Sequence, residues 1–119
     1  MITFEVKKTS ELSVEEKQQI IAIFNEIFEK NRSVEEFDNQ YYNNVKGDSI
    51  HCLMKVDGVV VGHDAGTPCF YKINGNQVPA MCNIDTMIHP NHRGLENYYD
   101  LMKGAFDKYR VFVTACLPH

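Results

Sequence analysis

Arg93 and Gly94 stand directly before residues 95–109, a stretch whose apolar positions recur at helical spacing. The N-terminus of a helix presents backbone N–H groups without helical partners and about half a positive charge, which suits it to binding a phosphate or pyrophosphate. A glycine lets phosphate oxygens approach the backbone closely, and an arginine adds charge-assisted hydrogen bonds. The chemistry that this segment favours is therefore the capture of an anion at the start of a helix.

His63 is a second residue able to do chemistry, and it follows Gly62 in a β-rich stretch. The ordinary pKa of histidine lies near neutrality, so this imidazole could exchange a proton during catalysis. The alternative is a polar side chain on the face or edge of a strand. His89 and His92 leave a similar choice open, between loop hydrogen bonding and catalysis.

Metal and redox chemistry are disfavoured by the spacing of the cysteines and histidines. No two of the four cysteines, Cys52, Cys69, Cys82 and Cys116, form a Cys-x-x-Cys pair. Each lies in an apolar or β-like stretch, which is typical of a free thiol packed as a small core residue. The neighbouring His89 and His92 supply two imidazoles, whereas a zinc site usually has three or four protein ligands. We therefore expect no metal site.

The elements that must position these residues follow from the period of the apolar positions. Residues 2–7 alternate polar and apolar side chains, which predicts a half-buried strand. Two capping boxes, Ser13 with Glu16 and Ser33 with Glu36, each precede an apolar stripe at helical spacing. Two consecutive helices are therefore predicted after the first strand.

The second half of the chain alternates β-rich runs with turn residues. Asp57-Gly58 predicts a hairpin between the runs 50–56 and 59–61, and Asn74-Gly75 predicts a second hairpin between the run 70–73 and a strand over about 78–88. The triplet Gly66-Thr67-Pro68 predicts a bend or bulge within the middle strand, because proline cannot donate to a ladder. A helix over 95–109 and a last strand over 110–115 complete the order β-α-α-β-β-β-α-β. The strands before and after the last helix should lie side by side in parallel.

Residues 85–94, Asp-Thr-Met-Ile-His-Pro-Asn-His-Arg-Gly, resemble the signature loop of the GNAT N-acetyltransferase family. In that family a Val-His-Pro-like triplet ends a strand, and an Arg-Gly-x-Gly-x-Gly/Ala turn opens the next helix. Leu101 and Met102 are similar to the hydrophobic pair of that helix. The resemblance covers nearly the whole chain as an order of elements. It implies one α/β (α+β) domain over residues 1–119, a mixed and mostly antiparallel sheet with helices on both faces.

The resemblance also implies acetyl-CoA as the cosubstrate and an amine as the acyl acceptor. Arg93 and Gly94 would bind the pyrophosphate, together with the first helical residues, Leu95, Glu96, Asn97 and Tyr98. The backbone of Thr86, Met87 and Ile88 would pair with the pantetheine arm as another strand would, and could supply an N–H to the thioester oxygen.

The resemblance makes Asp85, beside the acetyl-binding backbone, the best-placed general base, with His63 as the other catalytic candidate. Glu96 and Tyr98 stand where the family pattern has glycine and then glycine or alanine. A binding or assembly module that keeps the fold without catalysis is therefore the alternative function.

Composition limits the other partners. The 119 residues carry 12 basic and 16 acidic side chains, a net charge of −4, which favours no nucleic-acid surface. Apolar runs are only a few residues long and residues 1–12 lack the apolar stretch of a signal peptide, so we expect a cytoplasmic protein that does not enter a membrane.

The family fold usually continues with a helix and two strands. Without those two strands, the uncharged strand 111–115 would be an exposed edge of the sheet. A homodimer that pairs this edge is therefore expected.

Overall fold

The computed structural model describes residues 1–41, 48–109 and 112–115. Their secondary structure follows the predicted order. Five strands and three helices are present in these residues: β1 Ile2–Lys8, α1 Val14–Phe28, α2 Val34–Tyr41, β2 Ile50–Val56, β3 Val59–Ile73, β4 Asn76–Ile88, α3 Leu95–Tyr109 and β5 Phe112–Ala115. Short 3-10 turns cover Thr9–Glu11 and Pro90–His92. Among these elements, no helix is long and apolar enough to cross a membrane.

The strands form one mixed sheet in the order β1-β2-β3-β4-β5. The first four strands pair antiparallel, and β5 pairs parallel to β4 through the crossover helix α3. Both predicted hairpin turns are confirmed, since Asp57, Gly58, Asn74 and Gly75 all have φ between 50° and 84°. The α/β fold class and the antiparallel meander that leads into a parallel pair were therefore predicted correctly.

The capping boxes begin the first two helices as predicted. The N–H of Glu16 donates to Ser13 Oγ at 3.0 Å, and the N–H of Ser13 donates back to Glu16 Oε1 at 2.9 Å. The same exchange joins Ser33 and Glu36 before α2. Each box gives a side-chain acceptor to two backbone N–H groups that have no partner within the helix.

Two apolar cores cover the two faces of the sheet. On one face Ile20 of α1 and Phe37 of α2 pack with Leu53 and Met87 of the sheet. On the other face Leu101 of α3 packs with Cys52, Met54 and Ile88. Helices therefore cover both faces, as expected. Met102, the other member of the hydrophobic pair with Leu101, is 44% exposed, because the next residue along a helix turns away from the buried stripe.

No bulge lies at Gly66-Thr67-Pro68, where the sequence predicts a bend or bulge. Pairing between β3 and β4 runs without interruption through Pro68, which lies opposite Met81. The register of β2 ends at Ile50, opposite Gly66, so the described residues place no strand beside the outer edge of β3 at Pro68. A proline that lacks its N–H is compatible with a ladder at such an edge. The register shift lies earlier, between His63 and Ala65.

The prediction of free thiols holds for two of the cysteines. Cys52 is free and buried, and Cys69 is free and half-buried. Cys82 is disulfide-bonded, so its prediction as a free core residue is wrong. Spacing along the sequence could not reveal this bond, because disulfide pairing depends on the distance between residues in the fold. Cys116 lies outside the described residues.

Candidate functional site

The N-terminus of α3 has the features expected of an anion site. An added Cβ at Gly94 would meet no atom within 4 Å, so the backbone before α3 is open to a ligand. The first residue of the helix, Leu95, is 89% exposed. The first intrahelical bond runs from the N–H of Tyr98 to the carbonyl of Gly94 at 3.0 Å. The N–H groups earlier in the helix have no carbonyl of the preceding turn to bond.

Arg93 is fixed beside this helix start by the end of β4. Its Nε donates to the carbonyl of Ile88 at 2.8 Å, which uses one of the five guanidinium donors. Asn97 supports the same loop, since its Nδ2 donates to the carbonyl of His92 at 2.9 Å. Arg93 itself is exposed. The guanidinium is therefore held close to the loop with terminal N–H groups available for an anion.

The other residues predicted at this helix start differ in their surroundings. Glu96 is exposed and brings a carboxylate into the first turn of α3. Tyr98 is half-buried and packs against the core formed by Cys52, Met54, Ile88 and Leu101. The bulk of Tyr98 is therefore directed at the core, and Glu96 is the residue that would repel a phosphate.

His89 and His92 belong to the connection between β4 and α3. The N–H of His89 continues the sheet by donating to the carbonyl of Val61 at 2.8 Å, and its Nδ1 accepts from the N–H of Asn91 at 3.3 Å. Its Nε2 lies 3.4 Å from Glu26 Oε1 on α1. These contacts match the loop hydrogen bonding that the sequence left open for His89.

The far edge of β4 is only partly covered by β5. Paired residues run from Ala80 opposite Phe112 to Asn83 opposite Ala115. In the part of the chain that the structure describes, residues 84–88 have no strand on that side. Thr86, Met87 and Ile88 therefore present backbone groups of the kind that pair with another extended chain. This free edge ends at the loop that carries Arg93 and Gly94.

The two predicted catalytic residues lie on or beside this strand. The backbone of Asp85 belongs to β4, next to Thr86, while its side chain lies outside the described part of the chain. His63 lies in β3 opposite Met87 and is 1% exposed. Burial, together with the positive charge of Arg32, lowers the pKa of His63 to about 3. His63 is therefore an uncharged imidazole at neutral pH.

Asp64 is a residue of this region that the sequence interpretation missed. Its side chain is 5% exposed, and Oδ1 accepts a hydrogen bond of 2.6 Å from Thr86 Oγ1. Burial raises the pKa of Asp64 to about 7, and the bond from Thr86 offsets part of that rise. The consecutive polar pair His63-Asp64 between apolar residues was the available signal, because an ordinary buried strand carries no carboxylate.

The described residues contain no group of three or more His, Cys, Asp or Glu side chains that could hold a metal ion. The site is therefore made of a helix start, an arginine, a free strand edge and neighbouring titratable groups.

The profile of one protein family, described as "Acetyltransferase (GNAT) domain", matches residues 8–112. The chain belongs to the GNAT acetyltransferase family. The family match indicates an N-acetyltransferase, as the sequence resemblance implies. No curated protein sequence matches the chain significantly.

Solved structures share the fold of this GNAT domain at low sequence identity. Glucosamine-6-phosphate N-acetyltransferase from Arabidopsis thaliana is 19% identical, with a TM-score of 0.68 over 98% of this chain and 83% of the other. An aminoglycoside acetyltransferase from an uncultured soil metagenomic sample is 15% identical, with a TM-score of 0.72 over 98% and 78%. A probable N-acyltransferase from Enterococcus faecalis is 18% identical, with a TM-score of 0.65 over 92% of this chain. The chain spans only 27% of the length of that third protein.

Proposed function

We propose that this GNAT domain transfers an acetyl group from acetyl-CoA to the amine of an acceptor molecule. One observation supports the proposal most strongly: the open backbone at Gly94 and the guanidinium of Arg93 lie at the end of a β4 edge that β5 leaves uncovered. An anion site that continues into a free strand edge suits a ligand with a pyrophosphate at one end and an amide-containing arm.

The residues present fit acetyl-CoA. Arg93, Gly94 and the N–H groups of the first turn, from Leu95 to Asn97, would hold the pyrophosphate. The backbone of Thr86, Met87 and Ile88 would bond the amides of the pantetheine arm. When bound, acetyl-CoA supplies the activated acetyl thioester. A backbone N–H of the same edge would donate to the thioester oxygen and stabilise the negative charge that develops there.

Proton transfer from the amine needs a base, and three side chains are candidates. Asp85 remains a candidate for its position in β4, beside the predicted acetyl-binding stretch. His63 offers an uncharged imidazole, whose lowered pKa suits accepting a hydrogen bond better than holding a proton. Asp64 has a pKa of about 7, which is the value that favours proton exchange at neutral pH. Separate variants, Asp64→Asn, Asp85→Asn and His63→Gln, would assign the roles.

The alternative is a GNAT-like binding or assembly module without catalysis. The exposed Glu96 favours it, because a carboxylate in the first turn of α3 opposes an incoming phosphate. The two functions differ in the affinity for acetyl-CoA and in the release of free CoA.

The finer properties of the protein are also proposals. We propose that it works in the cytoplasm without nucleic acid or membrane partners, which its charge and its lack of a long apolar helix in the described residues support. We propose a homodimer, because β5 stands at one end of the described strand order and offers an edge. Sedimentation equilibrium at low micromolar concentration would measure the dimer, and a monomer that shows no dependence on concentration would rule it out.

Calorimetric titration with acetyl-CoA tests the function directly. We expect saturable binding, and weaker binding of acetyl-pantetheine, which lacks the pyrophosphate. A thiol-release assay should then be run with a panel of amines that includes glucosamine 6-phosphate and an aminoglycoside, since two neighbours are named for such acceptors. Binding followed by thiol release supports the transferase. A well-folded protein that does not bind acetyl-CoA supports the module.

A further inference from the structure

The connection between α1 and α2 is held in one conformation by Asn25. The side-chain Nδ2 of Asn25 donates to the carbonyl of Arg32 at 3.2 Å, and the N–H of Arg32 donates back to Asn25 Oδ1 at 2.7 Å. The backbone carbonyl of Asn25 accepts from the N–H of Glu29 and, at 3.1 Å, from the N–H of Lys30. Glu29 has a φ of 52°, the left-handed conformation that ends a helix. The backbone of Arg32 therefore has a fixed place relative to α1.

The side chain of Arg32 is held as well. Its Cζ lies 3.6 Å from the centroid of the Phe24 ring, well within the range of a cation–π interaction. The Phe24 ring in turn contacts Phe28, with 5.0 Å between the ring centroids. Stacking engages the face of the planar guanidinium, whereas its N–H groups point outwards from the edge. Because Arg32 is half-buried, part of this side chain is open to solvent.

The Arg32 guanidinium lies on the α1 and α2 face of the sheet, near the end of β4. Phe24, on which it stacks, packs against the core that contains Met87. Two residues further along α1, Glu26 Oε1 lies 3.4 Å from Nε2 of His89, the residue that follows β4. The end of α1 thus brings Arg32 to the part of the sheet whose far edge is proposed to bind the acetyl arm.

The geometry of acyl transfer makes this face one of two approaches for the acceptor. An arm that pairs with residues 86–88 as another strand would hold its carbonyl groups close to the plane of the sheet. A nucleophile reaches a carbonyl carbon from above or below that plane. The amine must therefore come from one face of the sheet. On the α1 and α2 face, the charge of Arg32 acts close to β4, since it adds to burial in lowering the pKa of His63, which lies opposite Met87.

We propose that Arg32 binds an anionic oxygen group of the acyl acceptor, so that the acceptor is an amine that also carries a phosphate or a carboxylate. The proposal rests on the proposed acetyltransferase function and names the class of its acceptor. A guanidinium binds either group through two parallel N–H···O bonds. It need not be otherwise unbonded, because its five N–H groups can serve more than one acceptor. The net charge of −4 gives no long-range attraction for anions, so direct bonds to Arg32 must supply the preference.

Thiol release with two pairs of amines tests the proposal in the wild-type protein. Glucosamine 6-phosphate is compared with glucosamine, and 5-aminopentanoate with 5-aminopentanamide, because the members of each pair share the amine and differ in the anionic group. We expect the anionic member of at least one pair to have a kcat/KM about tenfold higher or more, as for hydrogen bonds to a charged group. The pair that shows the preference distinguishes a phosphate from a carboxylate.

Three variants assign the preference to a residue. Arg32→Gln should reduce the preference to less than about threefold, and Arg32→Lys, which keeps the charge without the planar fork, should give an intermediate value. Lys30→Gln is the matched control, because it removes an exposed positive charge from the same connection. We expect this control to keep the full preference.

The Nε–H signal of Arg32 in ¹H–¹⁵N spectra gives a readout that needs no turnover. With desulfo-CoA, an analogue that cannot carry an acetyl group, the signal should shift on addition of the preferred anionic amine and stay in place with its uncharged counterpart. An unshifted signal would place the anion elsewhere and overturn the proposal.

Two kinetic results would also overturn the proposal while leaving the transferase function intact. One is equal kcat/KM for the charged and uncharged members of both pairs in wild type, which decides the question even if Arg32→Gln fails to fold. The other is a preference that persists in a folded Arg32→Gln protein. Absence of thiol release with every amine would instead reject the proposed function, and the acceptor class with it.

Discussion

Thr86 Oγ1 donates a 2.6 Å hydrogen bond to Asp64 Oδ1 at the place where the register between β3 and β4 shifts. From His63 to Ala65 the pairing advances two residues along β3 and three along β4, from Met87 to Ile84. One extra residue of β4 is therefore accommodated beside Asp64. The bond ties the irregular part of β4 to its neighbour, next to the free edge proposed for acetyl-CoA.

The raised pKa of Asp64 makes the stability of the protein depend on pH. The carboxyl keeps its proton to about pH 7 in the folded chain but ionises near pH 3.8 when unfolded. Folding therefore retains a proton in this window, and the free energy of unfolding falls as the pH rises from 3.8 to 7. We expect Asp64→Asn to remove this dependence and to be more stable than wild type at pH 8, by up to about 4 kcal/mol.

Urea unfolding of both proteins at pH 4, 6 and 8 measures this difference. Thr86→Val is the matched control, because it keeps the Asp64 carboxyl and removes the hydrogen-bond donor that lowers its pKa. In this variant the decline in the free energy of unfolding should therefore extend above pH 7. A stability difference between Asp64→Asn and wild type that stays constant from pH 4 to pH 8 would contradict an Asp64 pKa near 7.

Local patterns were sufficient to predict the elements of this fold. The Ser13–Glu16 box and the Asp57-Gly58 turn each act over a few residues, so the sequence carries their full signal. The start of α3, where the anion site is proposed, was also predictable, because Arg93 and Gly94 adjoin a helix start that periodicity reveals. What local patterns could not give is how β2, β3 and β4 align with one another.

That alignment brings His51 beside His63 and Thr86 beside Asp64, pairs that are 12 and 22 residues apart. Neither contact has a signature in the sequence, because register depends on all cross-strand neighbours together. The burial that shifts the pKa values of His63 and Asp64 arises from the same packing. His63 was therefore predictable as a residue type but not as an uncharged, hydrogen-bonded ring.

Glu16 joins the start of α1 to the sheet, and acid should break this connection. Its side chain is 7% exposed and lies 2.7 Å from Lys7 Nζ and 2.8 Å from Lys55 Nζ. Burial alone would raise the pKa of Glu16, but hydrogen bonds from Lys55, Lys7 and the Ser13 N–H lower it from 4.5 to about 2. The stabilisation that the ionised Glu16 carboxylate contributes is therefore complete above pH 4.5 and is lost as the pH falls towards 2.

We expect Glu16→Gln to lower the free energy of unfolding at pH 7 by about 1–3 kcal/mol, since the amide can still cap the helix but cannot pair with two lysines. The difference from wild type should shrink below pH 4.5, as measured by urea unfolding. Glu15→Gln is the matched control in the same helical turn, where the side chain is exposed. Equal losses in the two variants, or a Glu16→Gln loss that persists at pH 2, would refute the assignment.

Position 104 of α3 requires a glycine, because the helix lies close to Cys52 there. A Cβ added at Gly104 would lie 2.6 Å from Cys52 Sγ and 3.0 Å from Val6 Cγ2. Alanine favours a helix over glycine by about 1 kcal/mol, but overpacking costs about 1–3 kcal/mol. We therefore expect Gly104→Ala to destabilise the protein, although an exposed helical glycine would show the opposite sign.

A double-mutant cycle with Cys52→Ala identifies the cause of that loss. Removal of Sγ should reduce the cost of Gly104→Ala by more than about 0.5 kcal/mol, the level at which contacting residues show coupling. Thermal or urea unfolding of the four proteins gives the coupling. If the effects of the two substitutions on the free energy of unfolding simply added, contact with Cys52 would not be the cause of the loss in Gly104→Ala.

Arg93 and Glu96 should change the affinity for acetyl-CoA in opposite directions. Arg93→Ala removes charge-assisted hydrogen bonds to the pyrophosphate, so we expect binding weaker by about 1.5–3 kcal/mol, which is roughly 10- to 150-fold in Kd. Glu96→Gln removes a repelling carboxylate from the first turn of α3, and binding should strengthen by about 0.3–1 kcal/mol at low salt. Calorimetry with acetyl-CoA measures both changes.

Lys103→Ala is the control for net charge, because Lys103 is 43% exposed on the same helix but two turns away from its start. Its effect on affinity should be small and screened by salt, since exposed charges beyond about 10 Å interact weakly at 0.1 M ionic strength. Acetyl-pantetheine, which lacks the pyrophosphate, should bind wild type and Arg93→Ala equally. If Arg93→Ala and Lys103→Ala weakened acetyl-CoA by the same amount, the pyrophosphate would not lie at the start of α3.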